Sequence, residues 1–118
     1  MTTEFNLKVR GYHADMFGHV NHSRYLEFLE EGRWDYFEKK KMFEIFHLNQ
    51  IGHVVANINV DYKQSASPGD TLLITTYLKE TGNKRVVFQQ DVLMAESESI
   101  VVTALITDVF FDMKSQKT

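Results

Sequence analysis

The second half of the chain has the two-residue period of β-strands almost to its end, and this pattern constrains the fold more than any other feature. The strand-like segments cover residues 54–62, 72–78, 86–94 and 100–112. Polar breaks separate them at Pro68-Gly69, Gly82-Asn83 and Ser97 to Ser99. Such breaks are typical of turns between consecutive antiparallel strands. The last segment is apolar on both faces, so we expect it to lie centrally in the sheet or at a subunit contact.

One amphipathic helix precedes these strands. Its apolar stripe has spacings of three and four residues and consists of Tyr25, Phe28, Leu29, Gly32 and Tyr36. Asn21 is the expected N-cap, because its side chain can accept a hydrogen bond from a free N–H of the first turn. A glycine inside a helix costs about 1 kcal/mol relative to alanine. The place of Gly32 on the stripe therefore predicts a close approach of the helix to a sheet.

The order of the elements predicts an α+β fold in a single domain, residues 1–118. A short strand with alternating Phe5, Leu7 and Val9 comes first, and the helix and the four later strands follow it. A helix of about 18 residues spans about 27 Å, enough to lie across a curved antiparallel sheet of about five strands. One helix leaves the edges of such a sheet open. Pairing with a second copy would cover them, so we expect a homodimer or a larger oligomer.

Composition and charge exclude several classes of protein. The net charge of −3 is unlike the basic face of nucleic-acid-binding proteins. The sequence has no cysteine, which excludes disulfides and thiolate chemistry. It has no apolar stretch long enough to span a bilayer, and the polar segment MTTEFNLKVR lacks the apolar core of a signal peptide. We therefore expect a cytoplasmic protein with no nucleic-acid partner and no membrane span.

An aspartate, Asp15, and two histidines, His19 and His22, stand just before the helix. The first turn of a helix has free N–H groups and the positive end of the helix dipole, which can together stabilise a carbonyl oxygen as it becomes an oxyanion. Asp15 could act on that carbonyl as a base or nucleophile, with a histidine supplying a hydrogen bond or a proton. The same residue types are also common in loops that merely cap a helix. A metal site built with His13 is a third interpretation, but the spacing matches no known helical ligand pair and we expect no metal.

The segment from Asp15 to Tyr25, D-M-F-G-H-V-N-H-S-R-Y, resembles the D-x-x-G-x-V-x-x-x-x-Y signature of hotdog-fold thioesterases of the 4-hydroxybenzoyl-CoA thioesterase and YbgC-like family. The helix sequence YLEFLEEGRWDYF is similar to the Y-L-x-x-x-E-E-x-R-x-x-Y-F helix of that family. Two further segments, V-D-Y-K and S-P-G-D-T-L, resemble its second strand and the turn into its third. The resemblance covers roughly residues 5 to 112, nearly the whole chain.

The resemblance implies a long helix wrapped by an antiparallel sheet, in dimers that share active sites at their interface and often assemble into homotetramers. Asp15 matches the family's nucleophile or water-activating base, and the backbone N–H of His22 matches the group that polarises the thioester carbonyl. YbgC-like members also carry a histidine at the position of His22. Plant acyl-carrier-protein thioesterases have a catalytic histidine matching His19, but an asparagine where this chain has Phe17. Two histidines therefore compete for the supporting role, and we expect no cofactor.

The implied activity is that of an acyl-CoA thioesterase, which hydrolyses a thioester to the free acid and CoA. The helix start near Asn21 and His22, beside the loop that contains Gly18, would hold the carbonyl oxygen. The acyl group would lie in an apolar pocket near Tyr25, Phe28 and Leu29. The alternatives are an acyl-carrier-protein thioesterase and a non-catalytic protein that binds acyl thioesters. The fold also hosts hydratases, but their D-x-x-x-x-H motif within a longer hydration segment is not found here.

Overall fold

The computed structural model of the chain describes residues 1–115, so residues 116–118 of the predicted domain lie outside the described part. In chain order the elements are β1 (Thr3–Lys8), a 3-10 turn (Gly11–His13), α1 (His22–Lys39), α2 (Met42–Asn49), β2 (Ile51–Tyr62), β3 (Thr71–Thr81), β4 (Arg85–Met94) and β5 (Ile100–Asp112). The five strands form one antiparallel sheet in the order β1-β3-β4-β5-β2. The predicted α+β fold with an antiparallel sheet of about five strands is confirmed.

The order of the strands explains their composition. β5, the strand that is apolar on both faces, lies between β4 and β2, so it is an interior strand next to one edge of the sheet and not the central one. β1 and β2 form the two edges of the sheet. The turn at Pro68-Gly69 is also confirmed, because the N–H of Asp70 donates to Ser67 O and Gly69 has φ +97°, a conformation that favours glycine.

Helix α1 lies against the sheet with the predicted stripe buried. Its core side chains are between 1% and 4% exposed, namely Tyr25, Phe28, Leu29 and Tyr36. At Gly32 the helix comes so close that a Cβ atom would lie 2.6 Å from Ile74 Cγ2 and 2.9 Å from Gln90 Nε2. The predicted close approach is therefore confirmed. Gln90 Nε2 donates to the backbone oxygen of Leu29 at 2.9 Å, which ties the helix to the sheet at this depth.

The sequence predicted one helix, and the structure has a second, α2. Lys41, between the two helices, has φ 56° in the left-handed region, so the chain turns sharply before it becomes helical again. Phe43 and Phe46 of α2 pack at the margin of the core, and the Trp34 ring lies 5.0 Å from the Phe43 ring. A helix of eight residues has too few turns for its period to be distinguished from a short apolar loop or strand. Within residues 1–115, neither helix is long and apolar enough to cross a membrane.

Candidate active site

Asp15 lies in a tight hairpin turn just before α1. Its N–H donates to His19 O at 2.9 Å, and the N–H of Gly18 donates to Asp15 O at 3.1 Å. Gly18 has φ 78°, which a glycine adopts without strain. The N–H of Phe17 donates to Asp15 Oδ1 at 2.9 Å. Within residues 1–115 the second carboxylate oxygen of Asp15 accepts no hydrogen bond, and the side chain is exposed, so this oxygen is available for chemistry.

The start of α1 is the other half of this hairpin. Asn21 is the N-cap, as predicted, and its Oδ1 accepts the N–H of Ser23 at 3.0 Å and the Ser23 hydroxyl at 2.8 Å. The N–H of Asn21 donates to His13 O. The N–H of His22 donates to no acceptor in the described part of the chain. This open amide is the kind of donor that can hold a developing oxyanion.

The hairpin ties these two halves together. Ala14 and Val20 form an isolated antiparallel bridge, so the residues on either side of it run alongside each other. Asp15 follows one strand of this bridge, and the cap of α1 follows the other. The free carboxylate oxygen and the open amide of His22 therefore belong to one short, hydrogen-bonded unit.

The three histidines of the loop have different environments. His13 is buried, and its Nδ1 accepts the N–H of Arg10 at 2.8 Å. Burial, and next the positive charge of Arg24, lower the pKa of His13, so it is neutral near pH 7. His19 and His22 have exposed side chains. His13 is therefore a structural part of the loop, while the other two imidazoles are accessible to a ligand.

Tyr62, at the end of β2, contacts the start of α1. The sequence did not indicate that this residue belongs to the site. Its hydroxyl donates to His22 O at 3.2 Å, and its ring meets the His22 ring edge-on, with centroids 6.3 Å apart. Tyr62 is also 5.8 Å from the Tyr25 ring. This contact fixes the end of β2 to the first turn of α1, so the edge of the sheet and the candidate site are one structural unit.

The residues predicted to bind the acyl group are mostly core residues of the single chain. Tyr25 and Leu29 are buried, and the Tyr25 hydroxyl accepts the N–H of Ala66 at 3.2 Å. Phe28 borders a cavity of about 450 Å³ between α1 and residues 7–13. Asn21 borders an adjoining cavity of about 340 Å³. Asp15 borders neither of these cavities, so their walls do not enclose the carboxylate, and the assignment of the acyl pocket stays a prediction.

A second polar cluster, which the sequence alone does not reveal, lies farther along α1. Arg33 is only 6% exposed, and its Nη1 donates to Gln90 Oε1 at 2.9 Å. Burial lowers the pKa of Arg33, and the negative charges of Asp108 and Glu30 oppose that effect. His53 Nδ1 lies 3.1 Å from Asp108 Oδ2. The described residues include no group of three or more His, Cys, Asp or Glu side chains that could hold a metal ion.

Several known proteins are similar to this chain in sequence and structure. The long-chain acyl-CoA thioesterase FadM of Escherichia coli is 43% identical over 111 residues, covering 94% of this chain and 84% of that protein. The acyl-CoA thioesterase YbgC of Haemophilus influenzae is 30% identical over 90 residues, covering 73% of this chain and 66% of that protein. The crystal structure of YbaW, a probable thioesterase from Escherichia coli, superposes with a TM-score of 0.92 at 42% identity, covering 98% of this chain and 86% of that one.

The sequence model of the thioesterase-like superfamily matches residues 9–118. This match extends from the end of β1 through the hairpin, both helices and the rest of the sheet. It confirms the resemblance on which the hotdog fold was predicted. The chain belongs to the thioesterase-like superfamily.

Proposed function

We propose that the protein is an acyl-CoA thioesterase that hydrolyses the thioester to a free acid and CoA. The observation that carries the proposal is the hairpin, which joins an unengaged Asp15 oxygen and the open His22 amide in one unit. The 43% identity to a long-chain acyl-CoA thioesterase supports CoA as the carrier. Because CoA thioesters are intracellular metabolites, we place the protein in the cytoplasm.

The proposed chemistry uses few groups. The N–H of His22, at the positive end of the α1 dipole, holds the thioester carbonyl oxygen and stabilises the negative charge that develops there. The free oxygen of Asp15 either removes a proton from an attacking water or attacks the carbonyl carbon itself. The carbon–sulfur bond then breaks, and CoA leaves as a thiolate that takes up a proton. If Asp15 itself attacks, the product of this step is an acyl–aspartyl anhydride, and water then hydrolyses it to the free acid and the regenerated carboxylate. A thiolate is a good leaving group, so the exposed imidazoles of His19 and His22 need only assist with hydrogen bonds.

We further propose that the site is completed in a homodimer, which can assemble into a homotetramer. Two apolar side chains of the edge strand β2 are well exposed, Val54 at 54% and Ile58 at 40%. An edge strand with apolar residues is a template for pairing with another strand. If β2 pairs antiparallel with its own copy, the two-fold axis must be perpendicular to the sheet, and both α1 helices lie on the same face. The partner subunit then supplies the wall that Asp15 lacks in one chain.

The test is thiol release from a panel of acyl-CoA thioesters, with the wild type and Asp15→Asn measured together. Loss of a general base or nucleophile lowers kcat by about 100-fold or more. The fold is retained, because the asparagine oxygen can still accept the N–H of Phe17. Asp70→Asn is the matched control, since Asp70 also sits in a turn and accepts a backbone N–H, that of Ser67, at 2.9 Å. It keeps its activity.

Near-normal turnover by Asp15→Asn would remove Asp15 from the mechanism. A wild type whose melting temperature rises with acyl-CoA but which releases no thiol would be a binding protein and not an enzyme. Equal turnover of acyl-carrier-protein thioesters at lower concentration would instead favour the carrier protein as the natural partner.

A further inference from the structure

The second half of α1, helix α2 and the edge of the sheet enclose a cavity of about 300 Å³ that the proposed chemistry does not use. Its walls are mainly aromatic, with Trp34, Phe37 and Phe43. Four polar side chains also line it: Glu30, Arg33, His53 and Asp108. Val54 and Val55 of β2 form the side next to the open edge of the sheet.

Asp108 is the unusual member of this lining. It is 0% exposed, and neither of its carboxylate oxygens accepts a hydrogen bond within residues 1–115. His53 Nδ1 is 3.1 Å from Oδ2, but the two groups are not aligned for a hydrogen bond, and His53 Nδ1 is likewise without one. A buried carboxylate without hydrogen bonds is costly, typically by several kcal/mol. The lining of the cavity therefore includes a carboxylate whose hydrogen-bonding capacity is unused within residues 1–115, and a bound molecule could use it.

The groups around the cavity select the chemistry of that molecule. A cation would be repelled by Arg33, and an anion would be repelled by Glu30 and Asp108. A hydroxyl group avoids both penalties, since it donates to the carboxylate and accepts from the guanidinium. The aromatic walls suit a hydrocarbon chain. We infer that the cavity binds the hydroxylated end of an aliphatic acyl chain.

This inference rests on the proposed thioesterase function and its dimer, which explain how a substrate reaches the cavity. The Tyr62 hydroxyl, at one end of β2, is hydrogen-bonded to the start of α1, and His53 lies near the other end of the strand. Antiparallel pairing of β2 with its copy brings the end of one strand to the beginning of the other. The helix start of the partner subunit then lies beside the open side of this cavity. A thioester held at one protomer's Asp15 extends its chain into the other protomer.

The experiment compares thiol release from matched pairs of acyl-CoAs that differ by one terminal hydroxyl, with chains of eight to fourteen carbons. A hydrogen bond to a charged partner is worth enough to give about a tenfold or greater preference in kcat/KM for the hydroxylated member, at the chain length that reaches Asp108. Asp108→Asn places an amide donor in the cavity and reduces that preference to near unity. Asp108→Leu, which fills the same space with an apolar group, favours the plain chain.

Asp91→Asn is the matched control. Asp91 is a half-buried strand residue on the other face of the sheet, where its Oδ1 accepts the Thr103 hydroxyl at 2.7 Å. This variant keeps the preference for the hydroxylated chain.

Failure of this inference can be distinguished from failure of the proposed function. Hydrolysis of plain chains with no preference for a hydroxyl at any length overturns the inference and leaves the thioesterase function intact. A preference that survives in both Asp108 variants also overturns it. If no member of the panel is hydrolysed, the thioesterase proposal fails. Thermal shifts then decide whether the cavity binds a hydroxylated chain. A larger rise in melting temperature with 12-hydroxydodecanoate than with dodecanoate, lost in Asp108→Leu, supports it, and equal shifts refute it.

Discussion

The substitution Gly32→Ala tests how tightly α1 is packed on the sheet. In an isolated helix alanine would be stabilising by about 1 kcal/mol. Here the new Cβ atom would lie 2.6 Å from Ile74 Cγ2, 2.9 Å from Gln90 Nε2 and 3.1 Å from Thr76 Oγ1, all closer than ordinary contacts. Inserting a carbon atom into a packed core costs about 1 to 3 kcal/mol.

The hydrogen bonds of Gln90 add to this penalty. Its Nε2 donates to Leu29 O and to Thr76 Oγ1, both at 2.9 Å, and it cannot move away from a Cβ at Gly32 without weakening one of them. A buried donor that loses its acceptor costs about 1 to 3 kcal/mol. At mid-range the two penalties total about 4 kcal/mol, and the helix gain reduces the net loss to about 3 kcal/mol. For a chain of 118 residues this corresponds to a fall in Tm of about 12 °C.

Calorimetry or thermal circular dichroism at a fixed protomer concentration measures this change. Gly11→Ala is the control, because a Cβ there meets nothing within 4 Å, and its Tm stays near that of the wild type. An unchanged or higher Tm for Gly32→Ala would mean that the helix propensity of alanine outweighs the contact, and the close approach would then not limit stability.

Two other predictions concern the loop and the edge strand. His13 has a pKa below its ordinary value of 6.5 because of burial, so the unfolded chain binds the proton more readily and stability is lost as the pH falls below that value. His13→Gln flattens the dependence of Tm on pH between about pH 5 and pH 7.5, whereas the exposed His47→Gln leaves it unchanged, and equal slopes in both variants would contradict the role of His13. Ile58→Arg, on the open edge of β2, shifts the protein toward monomer in light scattering, and the similarly exposed Ile45→Arg on α2 does not. A fully dimeric Ile58→Arg would contradict pairing through β2.

The parts of the fold that sequence could predict are those set by neighbouring residues. The stripe on α1 follows from its spacing, and Asn21 could be identified as the cap because a cap acts within its own turn. The same holds for Gly69, whose positive φ is the local requirement of its turn. The close approach at Gly32 was predictable too. A glycine inside a helix costs helix stability, so its place on a buried stripe indicates that a neighbouring element needs the space.

The cluster of Arg33 and Asp108 could not be predicted in this way. These residues are far apart in the chain, and they line one cavity only because β5 lies next to the edge strand β2, against which α2 packs. Arg33 looks like an ordinary solvated residue of a helix rich in charges. Asp108 did carry a signal, because it interrupts the inward-facing series Val102, Ala104 and Ile106. A charge at an inward position of a strand indicates a buried polar site, but its partners depend on the sheet order.

The two ends of α1 contribute to different parts of the proposed site, and each complete site uses both protomers. The helix of 18 residues is about 27 Å long, with the Asp15 hairpin at its start and the Asp108 cavity under its second half. Within one chain, the reacting group Asp15 and the proposed acyl subsite at Asp108 therefore lie apart. In the antiparallel dimer each complete site would combine Asp15 of one protomer with Asp108 of the other, and this arrangement can be tested by mixing variants.

A heterodimer of one Asp15→Asn chain and one Asp108→Leu chain has one site with both aspartates intact and one site with neither. Asp15→Asn homodimers release almost no thiol, and Asp108→Leu homodimers hydrolyse acyl-CoA without the preference for a terminal hydroxyl. Co-expressed and purified through two different tags, the heterodimer regains that preference at about half of the wild-type rate, since one of its two sites is wild type. If the two aspartates acted within the same chain, no site of the heterodimer would contain both. The heterodimer would then show no preference, and the shared site would be refuted.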